Sequence, residues 1–233
     1  MALTKYKIDY SSAPDGGMCP LSYHFVRGHK RICKSGKETW VHEHKAKNPG
    51  KLGAYLSENL YYLFHKNSGV KYPPIGKICG FPDYEEVDPL IIFWLSYWKE
   101  RGLSFPEGLS PRIIKAMIAK ESSFNPSARS KVKRSSATGL MQMTSTARVI
   151  LSGRPNRKGY IESGRENLHI SQDVLNDPLI NVAIGIRWLA HKHSQLPKKQ
   201  RDLFNTIKYY NQWNQAGEKY AKEVLDLANR TCN

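Results

Sequence analysis

The sequence of 233 residues has no long apolar run. Its most apolar stretch, Leu90–Leu95, is followed by Tyr97 and Trp98 and is far shorter than the roughly 20 residues that a membrane-spanning helix needs. The first twelve residues, MALTKYKIDYSS, contain no continuous apolar segment. We therefore expect no membrane span and no secretory signal peptide, and we expect synthesis in the cytoplasm.

Acidic residues are scarce: 20 Asp and Glu stand against 36 Lys and Arg, which gives a formal net charge of +16. Such a charge attracts polyanions but does not determine a fold. Nucleic acid is one partner that fits, and a bacterial wall with peptide carboxylates and anionic polymers is another. A generic basic surface fits equally well, so the charge alone selects no function.

Closely paired cysteines are absent, since none of the four lies in a C-x-x-C pair. They are Cys19, Cys33, Cys79 and Cys232. Three disulfide connectivities are open, and buried free thiols are equally compatible. Disulfides would suit an oxidising destination. Four histidines accompany the first two cysteines: His24, His29, His42 and His44. Zinc prefers such ligands, but the spacing fits no standard finger, so we expect no metal and no cofactor.

The N-terminal region combines a hairpin pattern with a helical one. Segments Tyr23–Cys33 and Glu38–His44 are rich in β-branched, aromatic and basic residues and flank a short turn containing Gly36, which predicts a basic β-hairpin. Apolar residues then follow at helical spacing and predict one amphipathic helix: Leu52, Leu56, Leu60, Leu63 and Phe64. Residues 69–82, rich in Gly and Pro, predict a connector. We place a domain boundary near residue 85, after a small α+β region of uncertain role, residues 1–85.

Residues 86–233 are predicted to form a mainly α domain. Three Asp-Pro or Ser-Pro pairs, at Asp88, Ser110 and Asp177, each place an N-cap residue before a proline at the first helical position. The predicted helices start at these pairs and continue to about Arg101, Phe124 and His193. Three more are predicted over Thr144–Ile150, Arg201–Tyr210 and Ala216–Ala228.

Glu121 is the candidate for acid–base chemistry. Ile114, Met117 and Ile118 lie on one face of the predicted helix after Ser110, and Glu121 continues that apolar stripe at its C-terminal end. Burial raises a carboxyl pKa, as a general acid near neutral pH requires. Cleavage of a glycosidic bond needs such an acid. A glutamate turned toward water is the alternative.

Four motifs occur in order over about 110 residues. They are E-S-S-F-N-P-S-A from Glu121, G-L-M-Q-M from Gly139, D-P-L-I-N-V-A-I-G-I-R-W-L from Asp177, and Y-N at Tyr210. In these motifs the chain resembles the soluble lytic transglycosylase family, a branch of the lysozyme superfamily related to goose-type lysozymes. The resemblance implies a lysozyme-like helical catalytic domain over residues 86–233 that cuts the glycan strands of bacterial peptidoglycan.

The same resemblance implies the site residues. Glu121 matches the catalytic acid/base. Seven residues match positions that contact substrate or shape the cleft: Ser130, Gly139, Met141, Gln142, Tyr210, Asn211 and Tyr220. The chain departs from the family in a basic loop before Gly139, in Thr144 where proline is common, and in Tyr209 where alanine is common. These departures leave substrate preference open.

A second catalytic carboxylate is not apparent. The candidates are Glu162, Glu166, Asp173 and Asp177. None stands out, which agrees with single-carboxylate chemistry that forms a 1,6-anhydromuramyl product, whereas attack by water would make the chain a muramidase.

The lack of an apparent signal peptide, the basic charge and the implied wall-degrading domain together suggest partners and a place of action. The expected partners are peptidoglycan strands, together with an immunity protein and a secretion-machine component, and we expect no nucleic-acid partner. We expect action in the periplasm or cell wall of a target cell, as an antibacterial effector of the type VI secretion kind or a phage-type lysin. A non-catalytic glycan-binding protein and a nucleic-acid-binding protein are the rival hypotheses.

Overall fold

The structure is a computed structural model that describes residues 23–26, 29–33, 35–42, 44–47, 54–55, 63–67, 69–130, 137–153, 168–170 and 173–232. This part of the chain is mainly helical, as predicted. Its helices are α1 (Val87–Glu100), α2 (Pro111–Ser122), α3 (Ser145–Leu151), α4 (Pro178–Gln195), α5 (Leu203–Asn211) and α6 (Gln215–Asn229). All six lie within two residues of the predicted bounds. Short 3-10 turns span Asp173–Asn176 and Lys198–Gln200. No described helix is long and apolar enough to cross a membrane.

The predicted basic hairpin is confirmed. Strands β2 (His29–Ile32) and β3 (Glu38–Val41) pair antiparallel, and β1 (Tyr23–Val26) pairs antiparallel with β4 (His44–Lys47). Gly36 in the connecting turn has a φ of 78°, a backbone conformation that glycine adopts without steric cost.

The helix predicted from Leu52 is wrong at its start. Residues 54–55 form strand β5 (Ala54–Tyr55), which pairs in parallel with β6 (Leu168–His169). Helical backbone is described only at residues 63–66, and the remainder of the predicted helix lies outside the described residues. The strand partner is more than 110 residues away in sequence, so local spacing could not reveal it.

The described residues divide into two compact units. One contains those between residues 70 and 147 and between 173 and 232, and the other contains those between 23 and 69 and between 148 and 170. This division differs from the boundary predicted near residue 85. Residues 70–85 belong with the helical unit because the disulfide Cys79–Cys232 and a hydrogen bond from Ile75 N to Asp88 Oδ2 attach them to it. The separate role of residues 1–85 stays a prediction.

The core of the helical unit forms where α1 packs on α4. The indole nitrogen of Trp94 donates a hydrogen bond to the carbonyl of Leu179 at 2.9 Å, and that of Trp98 donates to the carbonyl of Ala183 at 2.8 Å. Both tryptophans are fully buried. A buried indole N–H needs such an acceptor, so these bonds fix the register of the two helices while the rings supply apolar contact.

Two of the three predicted helix caps are confirmed. The Ser110 hydroxyl accepts a hydrogen bond from Ile113 N at 3.4 Å at the start of α2. The Asp177 carboxylate accepts from Leu179 N at 2.9 Å at the start of α4. Each side chain satisfies a backbone N–H that the helix itself leaves without a partner.

The cap predicted at Asp88 is wrong. Asp88 lies inside the first turn of α1, and its carboxylate is buried beside the ammonium of Lys115 on α2, with an N–O distance of 2.7 Å. Lys115 is fully buried. A buried ammonium requires a counter-charge, and this long-range requirement overrides the local capping preference of Asp88.

Cysteine pairing is settled for three of the four cysteines. Cys79 and Cys232 form a disulfide across 153 residues of sequence. Cys33 is a free, partly exposed thiol, and Cys19 lies outside the described residues. The disulfide attaches the end of the chain to the segment that leads into α1.

Candidate active site

A cleft of about 580 Å³ lies in the helical unit. Five predicted site residues line it: Glu121, Ser130, Gln142, Tyr210 and Asn211. They come from α2, α5 and the segment between α2 and α3, so the fold brings together residues up to 90 positions apart.

Glu121 lies in the last turn of α2, as predicted, at the end of a buried face. Ile114, Met117 and Ile118 are fully buried, while Glu121 itself is partly exposed where it borders the cleft. Ser122 is the last residue of the helix, and Ser123 and Phe124 beyond it have φ values of 50° and 63°. This left-handed turn ends the helix one residue after the acid, which leaves the Glu121 carboxyl in its last turn.

The surroundings of Glu121 favour its protonated form. Burial raises the pKa of this carboxyl to about 7, and it outweighs two opposing effects, hydrogen bonding with the Tyr220 hydroxyl and the charge of Lys120. A carboxyl with a pKa near 7 is substantially protonated at neutral pH and can also lose its proton there. Both states are therefore accessible to one group, as acid–base chemistry requires.

Two buried tyrosines accompany the acid. The hydroxyl of Tyr210 donates a hydrogen bond to the carbonyl of Met141 at 2.7 Å. The pKa of Tyr210 and of Tyr220 is raised well above the usual value, first by burial and then by the charge of Glu121. Both phenols therefore stay protonated, and Tyr220 is the one whose hydroxyl lowers the pKa of the Glu121 carboxyl.

Gln142 holds the segment between α2 and α3 in shape through hydrogen bonds within that segment. Its φ is 45°, and its side-chain nitrogen donates to the carbonyls of Gly139 at 2.8 Å and Ala128 at 3.1 Å. The side chain borders the cleft, as predicted. Its amide hydrogens nevertheless have acceptors inside the protein, so the residue holds the loop in shape.

Gly139 lies against Asn181 of α4 and does not line the cleft. Its φ is 81°, and a Cβ atom there would overlap the Asn181 amide. That amide donates to the Thr138 and Leu175 carbonyls at 2.9 and 2.7 Å and accepts from Met141 N at 2.8 Å. Glycine is thus required for close packing of this segment on α4, and a role of Gly139 in shaping the substrate cleft stays a prediction.

Met141 has a packing role in this structure, and contact of this residue with substrate stays a prediction. Its side chain is fully buried and is absent from the cleft wall. It packs so closely on Gly185 of α4 that a Cβ atom at Gly185 would overlap its sulfur. The resemblance located the motif, and close packing against Gly185 of α4 buries this methionine.

Ser130, Asn211 and Tyr220 differ in exposure. Ser130 is half-buried and its N–H donates to the carbonyl of Ala137 at 2.9 Å, while Asn211 ends α5 with an exposed side chain. Both line the cleft. Tyr220 is buried behind Glu121 and does not line it. Substrate contact by these residues stays a prediction.

Glu121 is the only acidic residue among the described residues that line the cleft. Of the candidates for a second carboxylate, Asp177 caps α4, and Asp173 is the first residue of a 3-10 turn. Glu162 and Glu166 lie outside the described residues. Within the part of the chain that the structure describes, no group of three or more His, Cys, Asp or Glu could hold a metal ion.

Several cleft residues were not predicted: Ala137, Thr144, Thr146, Trp188, Lys192 and Gln212. Thr144 was visible in the sequence as a departure from the family. Lys192 follows Trp188 by four positions on α4, so helical spacing would have placed the two side chains together. Trp188, with 8% of its surface exposed, is both a core residue and part of the cleft wall.

The chain belongs to the transglycosylase SLT domain family, whose model matches residues 97–231, more than half of the sequence. The predicted family is therefore confirmed. The chain is also similar to the structure of an inactive mutant of the lytic transglycosylase Slt from Pseudomonas aeruginosa, at 22% identity and a TM-score of 0.43. The similarity covers 72% of this chain and 27% of the length of that protein. No curated protein matches in sequence.

Proposed function

We propose that this chain is a peptidoglycan lytic transglycosylase that cleaves the β-1,4 bond between N-acetylmuramic acid and N-acetylglucosamine. The observation that carries the proposal is Glu121, an acid with a pKa of about 7 at the end of a buried helix face, bordering a cleft. Membership of the transglycosylase SLT domain family supports it.

The proposed reaction uses Glu121 twice. The protonated carboxyl gives its proton to the glycosidic oxygen as the bond to the muramic acid C1 breaks, and the substrate's acetamido group stabilises the developing positive charge. The Glu121 carboxylate then removes the proton from the C6 hydroxyl of the same sugar, and O6 bonds to C1. The product is a 1,6-anhydro ring, and Glu121 regains its proton.

This route requires a single carboxylate, whereas most glycoside hydrolases use two. Glu121 is the single acidic side chain among the described cleft residues, which supports the anhydro route. Attack by water at C1 is the alternative outcome at the same site and would make the chain a muramidase. A purely glycan-binding role gives no reason for a carboxyl of raised pKa in the cleft.

The test is digestion of purified sacculi by the wild type, by Glu121→Gln and by Glu107→Gln as a control. Glu107 is exposed and lies outside the cleft wall. We expect the wild type and the control to release fragments and Glu121→Gln to release none. Mass spectrometry distinguishes the products, because an anhydro fragment is one water lighter than a hydrolysed one. Undiminished release by Glu121→Gln would overturn the assignment of the acid.

We also propose that the protein acts in the periplasm or cell wall of a target cell as an antibacterial effector, neutralised in its producer by an immunity protein. The Cys79–Cys232 disulfide supports an oxidising place of action. The net charge of +16 supports attraction to an anionic wall. Expression directed to the periplasm should lyse cells and cytoplasmic expression should not. Rescue by a neighbouring gene would favour an effector over a phage-type lysin.

A further inference from the structure

Trp213 is an exposed tryptophan directly beside the cleft that contains Glu121. It lies in the short link between α5 and α6, and the two residues before it, Asn211 and Gln212, both line the cleft. The structure leaves 46% of the Trp213 surface exposed. Single exposed apolar residues are common on protein surfaces, so exposure alone assigns no role. A role depends on how the ring is held and on what it adjoins.

The Trp213 ring is held by two neighbours of α5. It packs edge-on against Tyr209 with ring centres 5.6 Å apart, and the ammonium of Lys208 lies 4.9 Å from its centre. Both distances are within the range of favourable aromatic and cation–π contacts. The ammonium of Lys208 also lies 3.6 Å from the carboxylate of Glu218, which balances its charge. The indole is therefore held in place while nearly half of its surface stays exposed.

The backbone of the link is also held at both ends. The N–H of Gln212 donates to the carbonyl of Lys208 at 3.0 Å, and the N–H of Asn214 donates to the carbonyl of Gln212 at 3.1 Å. The Asn214 side chain caps α6 by accepting from Gly217 N at 3.1 Å. A Cβ atom at Gly217 would overlap the Gln212 carbonyl, so the link lies closely on the first turn of α6. A side chain on such a link loses little conformational entropy when a ligand arrives.

Tyr209 connects Trp213 to the cleft wall. The ammonium of Lys192 lies 4.1 Å from the Tyr209 ring centre and 4.7 Å from the Trp188 ring centre, and both Lys192 and Trp188 line the cleft. A continuous group of side chains therefore runs from the cleft wall to the exposed indole. Tyr209 stands where alanine is common in the family, and an alanine would give Trp213 no ring to pack against.

We propose that Trp213 forms an additional sugar-binding subsite, which continues the cleft and binds a further ring of the same glycan strand by stacking. This inference rests on the proposed function. A sugar ring in a β-1,4 glycan has hydroxyl groups around its rim and C–H groups on its faces. A flat apolar indole matches such a face, while the exposed amides of Asn211 and Gln212 match the rim hydroxyls.

The competing explanations are an exposed indole without a ligand and a docking surface for a protein partner. Glycan length separates them from the proposal. A subsite that continues the cleft is reached only by a strand long enough to occupy both, so its loss affects long strands alone. Neither competing explanation predicts any dependence on glycan length.

The binding experiment uses Glu121→Gln as the background, because it lacks the proposed acid. Trp213→Ala and Trp40→Ala are added separately. Trp40 of β3 is the matched control, since it is a tryptophan with 56% of its surface exposed and belongs to the other compact unit. Binding is measured by calorimetry to N-acetylglucosamine oligomers from the disaccharide to the octasaccharide.

We expect the affinity of the background protein to rise with oligomer length. Trp213→Ala should weaken binding of the long oligomers by about tenfold and leave that of the disaccharide unchanged. Trp40→Ala should bind every length as the background protein does. Both variants should unfold at the urea concentration of the background protein, because both rings are largely exposed.

Conservative variants and fluorescence give independent measurements. Trp213→Phe should retain more affinity for long oligomers than Trp213→Ala, because it keeps a flat ring. Tyr209→Ala should reproduce part of the loss, again for long oligomers only. Long oligomers should protect the background protein from acrylamide quenching more than they protect Trp213→Phe. In turnover assays with Glu121 present, Trp213→Ala should raise KM more for long strands than for short ones.

The subsite and the proposed function fail in different ways. If the wild type releases no fragments from sacculi, the proposed function fails whatever the binding data show. Affinity that does not rise with length, undiminished binding of long oligomers by Trp213→Ala, or an equal loss at every length would overturn the subsite. The same length-dependent loss from Trp40→Ala would also overturn it. When the wild type does release fragments, each of these results leaves the proposed function standing.

Discussion

Replacing Glu121 by glutamine should stabilise the protein at neutral and alkaline pH while it removes the proposed acid. The folded state raises the pKa of Glu121 from an ordinary value of 4.5 to about 7. Between these values the folded protein holds a proton that the unfolded chain has lost, so the free energy of unfolding falls as pH rises. Glutamine has the same shape and does not ionise, so in the Glu121→Gln variant this position does not lower the free energy of unfolding as pH rises.

The size of the effect follows from the pKa change. One pKa unit corresponds to about 1.4 kcal/mol. The raised pKa of Glu121 therefore lowers the free energy of unfolding by roughly 3 kcal/mol once the carboxyl is fully ionised. The two proteins should unfold with similar free energies below pH 4.5, diverge between pH 4.5 and 7, and differ by roughly 3 kcal/mol above pH 7. For a chain of this length each kcal/mol raises Tm by about 2–4 °C.

Urea denaturation at pH 4.5 and pH 8, with the disulfide kept oxidised, measures this difference. Glu107→Gln is the control, and we expect it to remain within about 0.5 kcal/mol of the wild type at both pH values. A stability gain for Glu121→Gln that is absent at pH 8, or equal at both pH values, would refute the claim that burial controls this carboxyl.

The remaining predictions concern the surroundings of the acid and the scaffold. Tyr220→Phe removes the hydroxyl whose interaction with the Glu121 carboxyl lowers its pKa, so the alkaline limb of the pH–rate profile should move to higher pH; an unchanged limb would contradict this. Lys115→Met leaves a buried carboxylate without its partner and should cost about 3–5 kcal/mol in urea unfolding, with partial recovery when Asp88→Asn is added. Cys232→Ser opens the disulfide and should cost about 2–5 kcal/mol, while the wild type under reducing conditions should lose the same amount.

The helices and the acid were predictable because their signals are local. The caps at Ser110 and Asp177 are each predicted by a cap residue followed directly by proline. The apolar stripe that ends at Glu121 is predicted by the three- and four-residue spacing of a single helix. The hairpin was likewise visible, since its two strands and its glycine turn are contiguous. Each of these features depends on neighbours within about a dozen residues along the chain.

What the sequence could not reveal depends on distant partners. The local sequence predicts that Asp88 caps a helix, but in the structure its carboxylate pairs with Lys115. The local sequence likewise predicts a helix at Ala54, but this residue pairs with Leu168 in a strand. Met141 stands in a substrate-contacting motif, yet close packing against Gly185 buries it. In each case a tertiary contact overrides a local preference.

The hydrogen bond from Tyr210 to the Met141 carbonyl limits how protons can travel at this site. A phenol has one hydrogen to give, and here the backbone receives it. Tyr210 can therefore offer the cleft only oxygen lone pairs, which leaves Tyr220 as the phenol able to share a hydrogen with Glu121. A cycle in which one carboxyl lends a proton and takes one back suits such an arrangement, because no relay from bulk solvent is needed between turnovers.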